Sequence, residues 1–168
     1  INAGAGYISK NRDTEALILE GSISDNISLP LLPELSHFSF INPKEEKKCV
    51  DEEISAFRIK CNSSKQWVST LSGGNKQKVS FAKWLAKNSN VLIMDCPTRG
   101  VDIGVKQSMY ALIAQMKKEG KAILLISEEM AELIGMADKI MLMKDFEMSG
   151  EVMRNPDLNE TDIVEYVI

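Results

Sequence analysis

The stretch VLIMD, Val91 to Asp95, limits most sharply what this chain can fold into. Four apolar residues stand on consecutive positions, without the alternation of a half-exposed strand. Such a run suits a strand covered on both faces, as in a parallel sheet. A helical pattern follows from Gly104 to Glu119, with Val105, Met109, Leu112, Ile113 and Met116 on one side, and Gly120 ends it. AILLIS is a second buried strand, EEMAELIGM a short helix and DKIMLMK a third strand. Strand, helix, strand, helix, strand with short links predicts an α/β fold with a mainly parallel sheet. MSGEVM reads as a hairpin return and NETDIVEYVI as a capped terminal helix.

Upstream the pattern changes. Residues 4 to 9 form a short apolar strand, and KNRDTE a polar turn. Ser24 or Asp25 is placed to cap a short helix, and Pro30 and Pro33 punctuate the residues beyond it. Residues 34 to 43 read as a loop. KEEKKCVDEEISAFRI is helical, with Val50, Ile54, Phe57 and Ile59 inward and its charge run as the solvated face. A helix opens at Ser72 and runs to about Lys87, with Val79, Phe81, Ala82 and Leu85 as its apolar side. The expected organisation is a helical part over 24–88 and an α/β part over 89–168.

Composition excludes several classes. With 168 residues, 44% of them hydrophobic, the chain can bury a core as one domain. A net charge of -4 gives no electrostatic reason to expect a nucleic-acid partner. No apolar run approaches the roughly 18 residues that cross a bilayer. Cys49, Cys61 and Cys96 are an odd number without CxxC spacing, so they read as reduced cytosolic thiols, not as a disulfide or zinc framework. His37, the one histidine, lies in the expected loop, away from any nucleophile. The methionines, Met109, Met116, Met141 and Met143 among them, read as packing residues.

The clearest chemical signal is LSGGNKQK, Leu71 to Lys78. A serine and two glycines at a helix start leave backbone N–H groups open, and the helix dipole favours an anion there. Taken alone, the same residues are an N-cap and a turn. About twenty residues on, the VLIMD strand ends in Asp95, and PTRGVD carries Asp102. The acids alone read equally as caps or turn residues. Cys96, beside Asp95, reads as a small inert side chain, the alternative being a thiol activated by helix starts and Arg99.

Together LSGGNKQKVSFAKWL, VLIMD, PTRGVDIGVK and ISEEMAELIGMADKI resemble the nucleotide-binding subunits of ABC transporters, in the order signature motif, Walker B strand, D-loop. They look most similar to the second domain of sugar importers whose ATP-binding protein holds two tandem nucleotide domains. GYISKNRDTEALILEGSISDNISL is similar to that domain's segment between phosphate loop and signature. The resemblance implies a P-loop NTPase sheet of ABC type with a helical signature subdomain. Ser72, Gly73, Gly74 and Asn75 would then face the γ-phosphate of ATP held on the opposing domain. Asp95 would help hold Mg²⁺, and Asp102 would lie at the dimer interface.

None of the ten glycines begins the GxxxxGK pattern, followed by Ser or Thr, of a phosphate loop. The chain therefore reads as a piece of a longer protein, truncated at its N-terminus and holding ATP weakly or not at all by itself. Three positions depart from active relatives. Cys96 stands in place of the general-base glutamate, and a thiol is a poor substitute for a carboxylate aimed at water. Glu128 stands in place of the switch histidine. Lys10 stands where a Gln or Glu would meet metal and water. The resemblance further implies a first nucleotide-binding domain and a transmembrane permease as direct partners, with residues 10 to 70 as the surface meeting the permease. A solute-binding protein would be an indirect partner, and the chain would be peripheral on the cytoplasmic face of the membrane. The competing readings are an active ATPase half with Glu128 or Glu129 as substitute base, a signature-bearing ATPase of chromosome maintenance, and an autonomous α/β interaction domain without nucleotide.

Overall fold

The computed structural model describes residues 4–37 and 40–164. By internal contacts the chain divides into two compact units, Ile1–Leu124 and Leu125–Ile168.

In the first unit, β1 (Ala5–Ile8) pairs in parallel with β4 (Val91–Asp95), Tyr7 opposite Ile93 and Ile8 opposite Met94. The sheet order is β1-β4-β5, where β5 is Ala122–Ile126. Burial along β4 alternates, with Leu92 and Met94 fully buried and Val91 40% exposed. The apolar run VLIMD is thus covered well on one face only, and Tyr7 and Leu124 are likewise exposed.

Helix α1 (Ile23–Ser28) is capped by Ser22, not by Ser24 or Asp25. Ser22 Oγ accepts from Asp25 N, and the Asp25 carboxylate accepts from Ser22 N, a reciprocal capping box. Asn26, fully buried, fixes the incoming chain: its Oδ1 accepts from Ile18 N at 2.8 Å, and its Nδ2 donates to Ile18 O and Ser22 O. The expected loop over 34–43 contains more order than its prolines suggest. Helix α2 (Leu32–Leu35) is followed by a small antiparallel pair, β2 (Ser36–His37) with β3 (Phe40–Ile41), while residues 38 and 39 lie outside the described residues.

Helix α3 (Pro43–Ala56) buries Val50, and the chain leaving it buries Phe57 and Ile59. Helix α4 (Gly73–Ala86) sinks Val79, Phe81 and Ala82 into the core. It lies against β1 at Gly6, where a Cβ would stand 3.0 Å from both Trp84 Cε3 and Leu92 Cδ2. Helix α5 (Ile103–Lys118) contributes Met109, Ile113 and Met116.

Glu53, on α3, lines a cavity of about 370 Å³ with Phe57, Leu85, Leu112 and Met116. Burial, and secondarily the neighbouring Glu52 charge, push its carboxyl from the ordinary 4.5 up to about 7. Between those pH values the folded chain holds a proton that the unfolded chain releases, so stability falls as pH rises across that window. Glu53→Gln is expected to remove this loss, raising the urea midpoint at pH 8 but not at pH 4. Parallel unfolding profiles for the two proteins would contradict this.

The second unit begins within β5 and continues through α6 (Met130–Met136), β6 (Lys139–Lys144), β7 (Glu147–Met153) and α7 (Glu160–Val164). Its core is Ile140, Leu142, Leu158 and Ile163, with Met130, Leu133 and Ile134 against it. DKIMLMK does not extend the parallel sheet. β6 pairs with β7 as an antiparallel hairpin in a sheet of two strands, turning at Asp145 and Phe146, both at positive φ. Alternation points Ile140 and Leu142 inward, so Met141 (51% exposed) and Met143 (68%) face outward and do not pack as expected. The expected terminal helix is described as far as Val164; residues 165–168, like residues 1–3, lie outside the described residues.

Candidate functional site

The start of α4 gathers most of the chemistry. Ser72 is its exposed N-cap, with extended backbone and a hydroxyl that does not cap the helix. That hydroxyl accepts from Asn75 Nδ2 at 3.0 Å, while Asn75 Oδ1 accepts from Lys60 N at 3.0 Å. Asn75 thereby ties the turn to the chain entering from α3. Both glycines are closely approached by their neighbours, Gly74 so closely that a Cβ there would force a shift. A Cβ on Gly73 would lie 3.1 Å from a terminal guanidinium nitrogen of Arg12, and one on Gly74 would lie 2.9 Å from Val105 Cγ2. Backbone N–H groups at this helix start are accordingly free of side-chain cover from within the motif.

The electrostatics suit an anion. Lys78 donates to Arg58 O at 3.2 Å, and its ammonium is pushed below the ordinary lysine range by burial, then by Lys60 and Arg58. Arg12 brings a further cation across Gly73. Positive charge at a helix N-terminus repels the dipole, and a bound anion relieves both. A helix N-terminus with two glycines and the Arg12 cation beside it fits a phosphate.

At the carboxyl end of β4, Asp95 accepts from Tyr7 Oη at 3.3 Å. Tyr7 and Asp95 thus meet at the edge where ligands enter open parallel sheets. Among the described residues no group of three His, Cys, Asp or Glu is placed to hold a metal. A lone carboxylate fits Mg²⁺, which is commonly held by one or two carboxylates plus phosphate oxygens and water. Cys96 is 7% exposed and at φ 43, so the chain turns sharply as the strand ends. Asp102 is the N-cap of α5, its Oδ1 accepting from Val105 N at 3.0 Å. Since Val105 also abuts Gly74, the turn at Ser72 and the loop carrying Asp102 are neighbours.

Lys10, half-buried, follows the end of β1, and its neighbours Ser9 and Asn11 are tied to Glu15 by hydrogen bonds. Ser9 Oγ donates to Glu15, Asn11 N donates to Ser9 Oγ at 3.1 Å, and Asn11 Nδ2 donates to Glu15 Oε1 at 2.9 Å. The Ser9 hydroxyl, then the Asn11 amide, hold the Glu15 carboxyl below its ordinary range. Glu128 is exposed in the link between β5 and α6, within the second unit.

Sequence reasoning missed Arg12, Tyr7, Lys60, Lys78 and Val105 as parts of this site. KNRDTE reads as a polar turn, yet Arg12–Ala16 is a single π-helical turn lying along α4. Only the three-dimensional contact with Gly73 distinguishes Arg12 from any surface arginine.

A family model described as ABC transporter matches residues 3–99, more than half of the chain. This chain belongs to the ABC transporter family. Among curated relatives, the ribose import ATP-binding protein RbsA of Oceanobacillus iheyensis is 42% identical over 160 residues, covering 95% of this chain and 32% of its own length. That of Clostridium perfringens is 39% identical over 169 residues, covering 100% and 34%. That of Bacillus subtilis is 41% identical over 152, covering 90% and 31%. The ABC chain thus spans about a third of the length of these relatives.

Among solved structures, the post-hydrolysis dimer of the ATP-binding cassette MJ0796 bound to ADP and Pi superposes with a TM-score of 0.76 at 21% identity, over 90% of this chain and 63% of that one. A second dimeric structure of MJ0796, a bacterial ABC transporter cassette, gives 0.74 at 20%, over 89% and 62%. The fold is that of an ABC ATPase cassette, as the motif order leads one to expect.

Proposed function

We propose that this chain is part of the ATP-binding subunit of an importer for ribose or a related solute. In this reading it lends Ser72–Asn75 to ATP held on a partner nucleotide-binding domain. The observation that carries it is the glycine turn at the start of α4, with the Arg12 guanidinium beside Gly73, in a chain without a phosphate-loop sequence of its own.

Each residue then has a role. Backbone N–H groups at Gly73 and Gly74, with the Ser72 hydroxyl, bind and orient the γ-phosphate. Asn75 holds the turn in shape. Asp95 would hold Mg²⁺ at this chain's own composite site, with Tyr7 orienting the carboxylate. Bound there, the metal would neutralise phosphate charge and polarise the bond to be broken. Asp102 fixes the start of α5 and belongs to the dimer interface. Lys10 and Cys96 leave that second site without the groups that orient and deprotonate water, so turnover is driven by the partner's site. Residues 24–88 form the signature-bearing subdomain and 89–168 the Walker B part. Residues 10–70 face a membrane permease from the cytoplasmic side, and a solute-binding protein delivers the cargo.

Calorimetric titration with MgATP tests this on the chain alone, with circular dichroism to verify folding. No saturable binding is expected up to millimolar nucleotide, because most of the triphosphate's cradle belongs to a phosphate loop. Micromolar affinity would mean that the chain builds a complete phosphate site, and the reading as donor in trans would fail.

A further inference from the structure

Arg12 touches two distant segments at once, the turn at Gly73 and the loop at Arg99–Gly100, and no motif assigns it a role. It opens the π-helical turn two residues after Lys10. One terminal nitrogen lies 3.1 Å from where a Gly73 Cβ would stand and 3.9 Å from the equivalent point on Gly100. The other, Nη1, donates to Arg99 O at 3.3 Å. Its Nε is buried without a hydrogen bond, 3.6 Å from Asp13 Oδ1. Asp13 in turn pairs with Lys76 of α4 at 3.1 Å, and Lys83 of α4 donates to Ala16 O at 3.1 Å. The turn is therefore stitched along α4 at several points, and Arg12 alone of these contacts reaches on to the loop after β4.

We propose that Arg12 is a positioning residue that keys the turn at Ser72–Gly74 to the loop at Arg99–Gly100, setting the phosphate-facing amides and the interface loop in one register. The inference rests on the reading of Ser72–Asn75 as a phosphate-binding turn. A planar guanidinium can cover Gly73 with one nitrogen while bonding Arg99 O with another. A lysine ammonium is a single point charge and cannot hold both at this separation. Arg12 needs no contact with nucleotide for this role. Its effect lies in where the turn is held when phosphate arrives.

The test is steady-state MgATP hydrolysis by the full-length protein carrying Arg12→Lys, Arg12→Ala or, for comparison, Ser72→Ala. For both Arg12 variants kcat is expected to fall by about 10²-fold, the scale of a misplacement near 1 Å. KM should stay within about twofold, since substrate binding itself is not removed. Arg12→Lys should melt as the parent does and still fail to restore kcat. Unchanged kcat in both Arg12 variants, with Ser72→Ala slowed, would overturn the inference while leaving the signature reading intact. A raised KM that Arg12→Lys restores would make Arg12 a direct anion contact and overturn it too. If Ser72→Ala is as fast as the parent, the reading beneath the inference fails and takes it along.

Discussion

Cys96→Glu in the full-length protein is expected to raise MgATP hydrolysis at the site that β4 helps to build by about 10²-fold, the lower end of what a positioned general base contributes. Position 96 directly follows Asp95, at the sheet edge where β1 and β4 end. It is almost enclosed, so a carboxylate there would be poorly hydrated and its pKa drawn upward, toward the range in which a base works best at neutral pH. The thiol offers no such oriented oxygen. Left-handed backbone costs about 1–2 kcal/mol for any residue with a side chain, and the cysteine already bears that cost. Glutamate therefore adds a buried charge, not a new backbone strain. The gain is expected at the low end because, on the proposed reading, Lys10 remains where a Gln or Glu would meet metal and water. Cys96→Gln has the same size without the base and is expected to stay slow, so phosphate release by the two variants isolates the carboxylate. If glutamate and glutamine variants are equally slow while Glu128→Gln or Glu129→Gln silences the site, the substitute-base reading is the correct one.

Much of the fold was legible wherever one local pattern had one packing solution. VLIMD became β4, the Ser72 helix became α4, and the 104–119 pattern became α5, because strand and helix periods there meet a single buried face. Reading failed where the outcome depends on partners far along the chain. VLIMD reads as covered on both faces, but sheet strength comes from β1 and β5 while one face stays open at Tyr7 and Val91. β6 has the composition of a sheet strand, but the turn at Asp145 and Phe146 pairs it with β7, which reverses the expected burial of Met141 and Met143. The α1 cap lies earlier than expected because Ser22 closes a reciprocal capping box with Asp25, which takes the N3 place of the usual Glu or Gln.

The site divides in the same way. Ser72, Gly73, Gly74, Asn75, Asp95 and Asp102 were visible as residue types at telling positions. What sequence alone could not supply is why two glycines are needed. Arg12 and Val105 come from 61 and 31 residues away in the chain, and only their approach crowds a Cβ at Gly73 and leaves no room for one at Gly74 without a shift. Lys60 and Lys78 likewise gain meaning from where α3 and α4 meet. A polar turn such as KNRDTE carries no period to read, so its contribution appears only once it is seen lying on α4.

Ser72→Ala in the full-length protein is the most direct test of the account. The hydroxyl is exposed, free of capping duty and held toward Asn75, so its loss leaves α4 and its core intact. On the proposed reading, what it removes is one preorganised contact with charge that grows in the transition state. Loss of a comparable oxyanion-site donor costs about 10²–10³-fold in kcat. A fall of that size in steady-state MgATP hydrolysis, with melting temperature unchanged, is the result expected of a turn that completes a partner's ATP site. A rate equal to the parent's would mean that the turn at Ser72 faces no phosphate, and the assignment of this chain as signature donor would be wrong.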